Sequence, residues 1–342
     1  MPFDPFQSVP LGRTSLEVTR LAFGGGSIGG LFDPVAGNDA VGMVDHAWSI
    51  GVRYFDVAPL YGYGSAERAM GAILAHRPRA EYVLSTKVGR LVRAAGDVRP
   101  GDDVDLQALG DQHDAYYPGT AGRKVVFDYS ADGVRRSVEA SLERLGLDRV
   151  DILYIHDPDH HWQVALDEAY PALERLRAEG VVAAIGAGMN QSAMLARFAS
   201  ETDMDVFLVA NRYTLLDQDA LTELLPQCLT RGIAVLIGGV MNSGVLVDPR
   251  PGSHFDYGPA PAAVIERAQR IAAVCDRHGV SRRAAAIQFP LAHPAVTGLI
   301  AGVRTPAHLD DYPTSMRTAI PGALWDELRA EGLIAAAAPT PR

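Results

Sequence analysis

Residues 53–74 read RYFDVAPLYGYGSAERAMGAIL. Arg53–Phe55 form a short β-rich run, and the end of the stretch is helical in pattern, with Met70, Ile73 and Leu74 on one face. Gly64-Ser65 stands at the boundary, where a serine can cap a helix start. Between strand and helix lie Asp56 and, five positions on, Tyr61. A carboxylate at the edge of an apolar core costs desolvation energy unless a cation pairs with it, so a partner is expected elsewhere in the chain.

The strand–helix unit recurs. Expected strands are Leu21–Phe23, Arg53–Phe55, Tyr82–Thr86, Val150–Ile155, Val181–Ile185, Val206–Val209, Ile233–Ile237 and Val296–Ile300, with segments of helical period between them. Val134, Val138, Leu142 and Leu145 share a face after Ser130, Pro171 suits a first helical position, and Gly146, Gly180, Gly232 and Gly279 are helix stops. The strands are apolar throughout, as parallel strands buried on both faces should be. Eight such alternations predict an α/β fold, a closed (β/α)8 TIM barrel in one domain spanning residues 1–342. VPLGRTSLEVTR near the start is expected to form a hairpin that closes the lower end. Residues 91–129, rich in Gly and Asp, are expected as a long loop after strand three, over the barrel mouth, and 335–342 as a flexible tail.

Composition narrows the function. Of 342 residues 48% are hydrophobic and 21% charged, which is ordinary globular usage. A net charge of -10 argues against a nucleic-acid surface, whose footprint is basic. Cys228 and Cys275 sit among apolar residues at helical spacing and read as buried thiols rather than a disulfide framework. No apolar run is long enough for a membrane span, and MPFDPFQSVPLG has no basic start, so a cytoplasmic protein is expected, monomeric or a small homo-oligomer acting on a small molecule.

The chemistry-bearing residues fall at strand ends. Asp56 follows the second strand, Lys87 the third and His156 the fourth, with Tyr61 in the loop after Asp56. Alone, each reads as a loop or capping residue. In a barrel, all C-terminal strand ends open on one mouth, so a carboxylate, an ammonium, an imidazole and a phenol converge there, and Lys87 becomes the partner of Asp56. A phenol titrates near pH about 10 and is a poor base alone; a neighbouring ammonium favours the phenolate.

YFDVAPLYG and GSAE, LSTKVG, and DILYIHDPD resemble three signatures of the aldo-keto reductase family, and the resemblance covers nearly the whole chain. It implies a nicotinamide-dependent barrel enzyme with Asp56, Tyr61, Lys87 and His156 as its catalytic tetrad. The longer stretch VFDYSADGVRRSVEASLERLGLDRVDILYIHDPDHH is similar to the branch that contains L-fucose, D-threo-aldose and pyridoxal dehydrogenases. The leading expectation is therefore NAD-dependent oxidation of an aldose hemiacetal to the lactone, with pyridoxal as the close alternative substrate. A general NADPH-dependent carbonyl reductase and a non-enzymatic redox-sensing subunit are the other readings. The resemblance also implies that loops after strands five to eight hold the dinucleotide. GAGMNQ offers Asn190 to the carboxamide. GGVMNSGVL offers Gly239, Val240, Met241, Asn242, Ser243 and Gly244 around the pyrophosphate, and IAGVRTPAHLDD offers Gly302, Arg304, His308 and Asp311. Ala210 stands where many members carry a glutamine, and Gly238 where an aromatic ring would stack. His308 stands where many members use an arginine against the 2′-phosphate; fewer cations there favour NAD, while Arg304 keeps NADP open.

Two further motifs compete. Gly24, Gly26 and Gly29 match the dinucleotide fingerprint of a doubly wound fold, which requires a helix directly after it; Pro34 and Gly37 intervene, so Gly25 and its neighbours read better as backbone beside the nicotinamide. HDPDHH, residues 156–161, lacks a spacing that fixes metal geometry, so no metal is expected, and Asp157, Asp159, His160 and His161 read as a solvated rim. Trp162 and the Tyr116–Tyr117 pair fit either substrate contact or packing within loops.

Overall fold

A computed structural model describes residues 2–31, 34–105, 117, 122–256 and 258–341. Eight strands close into a parallel barrel: β1 (Leu21–Gly24), β2 (Tyr54–Asp56), β3 (Val83–Val88), β4 (Ile152–His156), β5 (Ala184–Met189), β6 (Val206–Ala210), β7 (Ala234–Gly238) and β8 (Val296–Gly302). Each pairs with its sequence neighbours, and β8 closes on β1. The helices around it are α1 (Gly37–Ile50), α2 (Ser65–Leu74), α3 (Ala131–Leu145), α4 (Tyr170–Ala178), α5 (Ala193–Glu201), α6 (Leu224–Arg231), α7 (Ala262–Arg277), α8 (Arg282–Leu291), α9 (Pro306–Arg317) and α10 (Gly322–Ala330).

Local chemistry sets the helix limits. The Ser130 hydroxyl accepts from the Gly133 N–H (3.0 Å) at the start of α3, and Gly146, at φ 63°, ends it. Thr305 caps α9 through the His308 N–H (3.2 Å). Along α3, Val134, Val138 and Leu145 are buried against the barrel, the stripe that the spacing predicts. Cys228 and Cys275 are buried free thiols, pushed up by burial to about 12 and about 11.

Inside the barrel a second apolar layer includes Ala22, Tyr54, Ile152, Tyr154, Val206, Leu208 and Leu236. The predicted hairpin pairs Ser8–Pro10 with Glu17–Thr19 and delivers Val9, Leu11 and Val18 into that same layer, sealing the bottom.

Several limits differ from expectation. β5 begins at Ala184 rather than Val181, because Val181 is exposed in the turn that leaves α4. Residues 91–129 are more than a loop: Arg90–Ala94 pairs antiparallel with Arg123–Phe127 as a two-stranded ribbon. The tail is held rather than frayed. Ala338 is buried, Arg329 donates to the Ala338 carbonyl and the Thr340 hydroxyl, and the Ala335 N–H donates to Gln218. No helix among the described residues is long and apolar enough to cross a membrane.

Candidate active site

Side chains alternate along a strand, so every second residue of β2, β3 and β4 faces the lumen. Register does the rest: Asp56 lies beside Ser85, Lys87 beside Tyr154 and His156 beside Gly188. Asp56 and His156 are the last residues of their strands, and Lys87 is the last but one of β3, rather than residues just past them.

Asp56 and Lys87 are almost fully buried and form an ion pair, with Lys87 Nζ 2.7 Å from Asp56 Oδ2. The same ammonium donates to the Val57 carbonyl (3.1 Å). The other carboxylate oxygen, Oδ1, accepts from the Ser85 hydroxyl (2.7 Å). Behind it, Tyr54 donates to Ser85 (3.2 Å) and lies 3.0 Å from the Tyr154 hydroxyl, so a buried chain of hydrogen bonds backs the pair. Burial without such partners would be costly. Lys87 Nζ lies 4.7 Å from the centre of the Tyr61 ring, and the Tyr61 and His156 rings meet edge-on at 5.8 Å. The four residues expected to converge are therefore together.

The Tyr61 loop is tightly wound. Gly62, Tyr63 and Gly64 all have positive φ (57°, 50° and 86°), which lets Tyr61 double back over Lys87 while α2 starts at Ser65. Gly29 touches this turn so closely that a Cβ there would meet the Gly62 nitrogen at 2.7 Å. The Gly-rich run opens only a single turn, Ser27–Gly29, and the first long helix waits until Gly37. Gly25 donates its N–H to the Asp56 carbonyl (2.7 Å), binding β1's end to β2.

His156 is buried, and its Nδ1 has no hydrogen-bond partner among the described residues. Burial, helped by Arg90 and Lys87, holds its pKa well below the ordinary 6.5, so it is a neutral imidazole at pH 7. Its Nε2 lies 3.6 Å from Asp157 Oδ2. Burial pushes the Asp157 carboxyl up to about 6, against the pull of Arg90 at 3.4 Å. Asp157 has φ 42°, and the Tyr129 hydroxyl clamps this point by donating to the His156 carbonyl (2.7 Å).

A cavity of about 870 Å³ opens above these groups. Tyr61, Lys87, His156 and Asn190 line it, together with residues the sequence did not single out, notably Arg90, Asp103, Asp105, Phe127 and Asp256. Arg90 bonds Asp105 (3.2 Å) as well as approaching Asp157. The signal for Arg90 was its place three residues past Lys87. The rim expected to be solvated is only partly so: Asp159 and His160 are exposed, but Asp157 is ion-paired, and His161 bonds Asp103 (2.7 Å) and stacks near Phe127. No group of three or more His, Cys, Asp or Glu among the described residues is placed to hold a metal ion. Tyr117 lines the cavity; Tyr116 lies outside the described residues. Trp162 does not line it: its ring packs on Phe198 (4.6 Å) under the Arg197 guanidinium, so it supports α5 instead of a substrate.

Space for a flat ring exists beside Tyr61 and Lys87. A Cβ at Gly26 would come within 3.9 Å of the Tyr61 ring, and one at Gly188 within 3.5 Å of Lys87 Cε, so their absence leaves that floor bare. The remaining cofactor candidates lie past β7 and β8 on the same mouth. Gly239, Ser243 and Gly244 are exposed, Met241 is half-buried and Val240 is buried. The cradle is smaller than expected. The N–H groups of Asn242 and Gly244 are spent on the carbonyls of Gly239 and Met241. The Asn242 side chain is buried, accepting from Thr214 (2.7 Å) and donating to the Asn211 carbonyl (3.3 Å), so it holds the turn. Past β8, Gly302 and His308 are exposed, Arg304 donates to the Leu31 carbonyl, and Asp311 is ion-paired with Arg283 across α9 and α8. Asp311 is thus committed to helix packing.

The comparisons with known proteins agree with this geometry. D-threo-aldose 1-dehydrogenase of Pseudomonas sp. is 42% identical over 330 residues, covering 95% of this chain and 96% of that protein. Pyridoxal 4-dehydrogenase of Microbacterium luteolum is 40% identical over 335 residues, covering 95% and 97%. A solved aldo-keto reductase from Bacillus halodurans in its holo form superposes with a TM-score of 0.73 at 21% identity, over 97% of both chains, a likeness of fold. Residues 20–330 match the Aldo/keto reductase family, and with an eight-stranded parallel barrel built to that plan the chain belongs to it, as an NAD(P)-dependent oxidoreductase.

Proposed function

We propose that this enzyme oxidises the hemiacetal hydroxyl of an aldose of the L-fucose or D-arabinose type to its lactone, with NAD. The observation that carries this reading is the cavity wall. Asp103, Asp105, Asp157, Asp159 and Asp256 reach the wall, held there by His161, Arg90, Gln191 and Arg212, and the remaining lone pairs of these carboxylates suit a ligand that presents many hydroxyl donors. Similarity to D-threo-aldose 1-dehydrogenase supports the same class.

In this reading the chain's residues divide the work as follows. Neutral His156, on the cavity wall, hydrogen-bonds the substrate oxygen and orients it. Tyr61 takes the hydroxyl proton as general base, and returns it in the reverse direction. The Lys87 side chain stabilises the negative charge on the phenol oxygen, and Asp56 holds Lys87 in place. Asn190, the Gly239–Ser243 turn, Gly302 and Arg304 would hold the dinucleotide, whose nicotinamide supplies the hydride acceptor. The exposed imidazole of His308, in place of a guanidinium, supports NAD over NADP.

Pyridoxal is the second reading. Phe127, with His161 at 4.6 Å, offers the cavity an aromatic wall for a pyridine ring, and pyridoxal 4-dehydrogenase is nearly as similar as the aldose enzyme. Both readings are tested by one panel: L-fucose, D-arabinose and pyridoxal, each with NAD and with NADP, followed by cofactor absorbance. Reduction of aromatic aldehydes with NADPH, and no oxidation of any sugar or pyridoxal, would overturn both in favour of a general carbonyl reductase. No spectral change with any substrate would favour a binding subunit.

A further inference from the structure

A second cavity, of about 390 Å³, lies outside the barrel between the ribbon, α2 and α3. Arg68, Arg93, Arg123 and Arg144 line it, with Glu143 the single carboxylate in the wall among the described residues. Two of the four arginines are already neutralised: Arg144 by the buried Glu67, and Arg93 by Asp102 (2.9 Å). Arg68 and Arg123 have no carboxylate within ion-pairing distance among the described residues, Glu143 included. Among the described residues Arg123 donates to a neutral acceptor, the Tyr63 carbonyl (2.7 Å). Like charges crowd here: burial first, then Arg123 and Arg144, lower the pKa of Arg68. A concentration of guanidinium groups on a chain of net charge -10 is a local reversal of sign.

We propose that this pocket binds a small dianion, the phosphate group of a phosphorylated metabolite or free phosphate. Planar guanidinium forks match phosphate oxygens bidentately, and Arg68 and Arg123 have donors to spare. The volume lies within the range of small-molecule sites and exceeds what a lone phosphate fills. The pocket adjoins the back of the catalytic loop. Arg123 holds Tyr63, two residues after Tyr61, and a Cβ at Gly64 would lie 2.5 Å from Arg144 Cδ. An occupant therefore fixes, from outside the barrel, the turn that carries Tyr61.

The test uses the full-length enzyme saturated with nicotinamide dinucleotide, so that the cofactor cradle cannot take the probe. Inorganic phosphate, pyrophosphate and ribose 5-phosphate are titrated by calorimetry and by thermal shift. The expected result is one saturable site with a rise in Tm, weakened at least about tenfold by Arg68→Gln and retained by Arg68→Lys, with basal turnover unchanged in both. Ribose 5-phosphate binding more tightly than inorganic phosphate assigns the extra volume to an organic body; equal affinities assign the site to free phosphate. No saturable binding of any probe, or binding that Arg68→Gln leaves intact, overturns the proposal. Arg68 is exposed on α2, so neither variant threatens the fold.

Discussion

Replacing Lys87 by Met removes the cation from a carboxylate that is only 2% exposed. Asp56 would keep the Ser85 hydroxyl but lose Nζ at 2.7 Å, and the Val57 carbonyl would lose its 3.1 Å donor. Breaking one side of a buried pair costs about 3–5 kcal/mol, most of it the penalty of leaving the other charge unpaired. Converting Asp56 to Asn in the same chain removes that charge, so the double variant should recover most of the loss, with a coupling energy of about 2–3 kcal/mol of opposite sign to the single losses. Urea titrations at a fixed m-value read these differences from the midpoints. Turnover should behave otherwise: both variants should be inactive, because Tyr61 has lost its ammonium. A Lys87→Met protein as stable as wild type, or a double variant no more stable than the single, would refute the account of Asp56 and Lys87 as a pair made costly by burial.

Other outcomes follow from the same geometry. Tyr61→Phe should abolish turnover while a fluorescence titration finds dinucleotide affinity nearly unchanged; equal losses of both would count against Tyr61 as acid–base. Burial keeps His156 neutral below its ordinary 6.5, so the unfolded chain binds a proton that the folded chain refuses, and stability falls as pH drops below 6.5, by up to about 1.4 kcal/mol per unit. Asp157, pushed up to about 6, acts in the opposite sense, with the folded chain taking its proton first. His156→Gln should therefore gain stability relative to wild type on acidification from pH 7 to 5, read from urea midpoints, and parallel profiles would contradict this. Trp162→Leu should lower Tm by loosening α5 while leaving KM unchanged, since the indole packs on Phe198 away from the cavity.

The barrel was legible because its signal repeats: each strand is a short apolar run, and several helices stop at or beside a glycine, as at Gly146, Gly180, Gly232 and Gly279. The tetrad was legible for a related reason, since a charged residue ending an apolar strand stands out against its neighbours. Asp56, Lys87 and His156 each broke such a run. What the sequence hid was partnership at long range. Nothing local says that Asp311 belongs to Arg283, or that Thr214 occupies the Asn242 amide. The ribbon was missed because its halves, RLVRA and RKVVF, alternate only briefly and are separated by 28 residues. Glycines inside β5 disguised its true end, so the valines of the preceding turn took its place. Trp162 shows a further limit: a loop residue's position fixes its neighbourhood, and its side-chain direction depends on which helix packs beneath it.

The hairpin plug has a kinetic corollary. With Val9, Leu11 and Val18 packed beneath an interior already filled by Tyr54, Tyr154, Leu208 and their neighbours, small molecules meet Tyr61 and His156 from the opposite rim, where the described cavity lies. Reactant and product share that cavity, so accumulated product should slow turnover by occupying it.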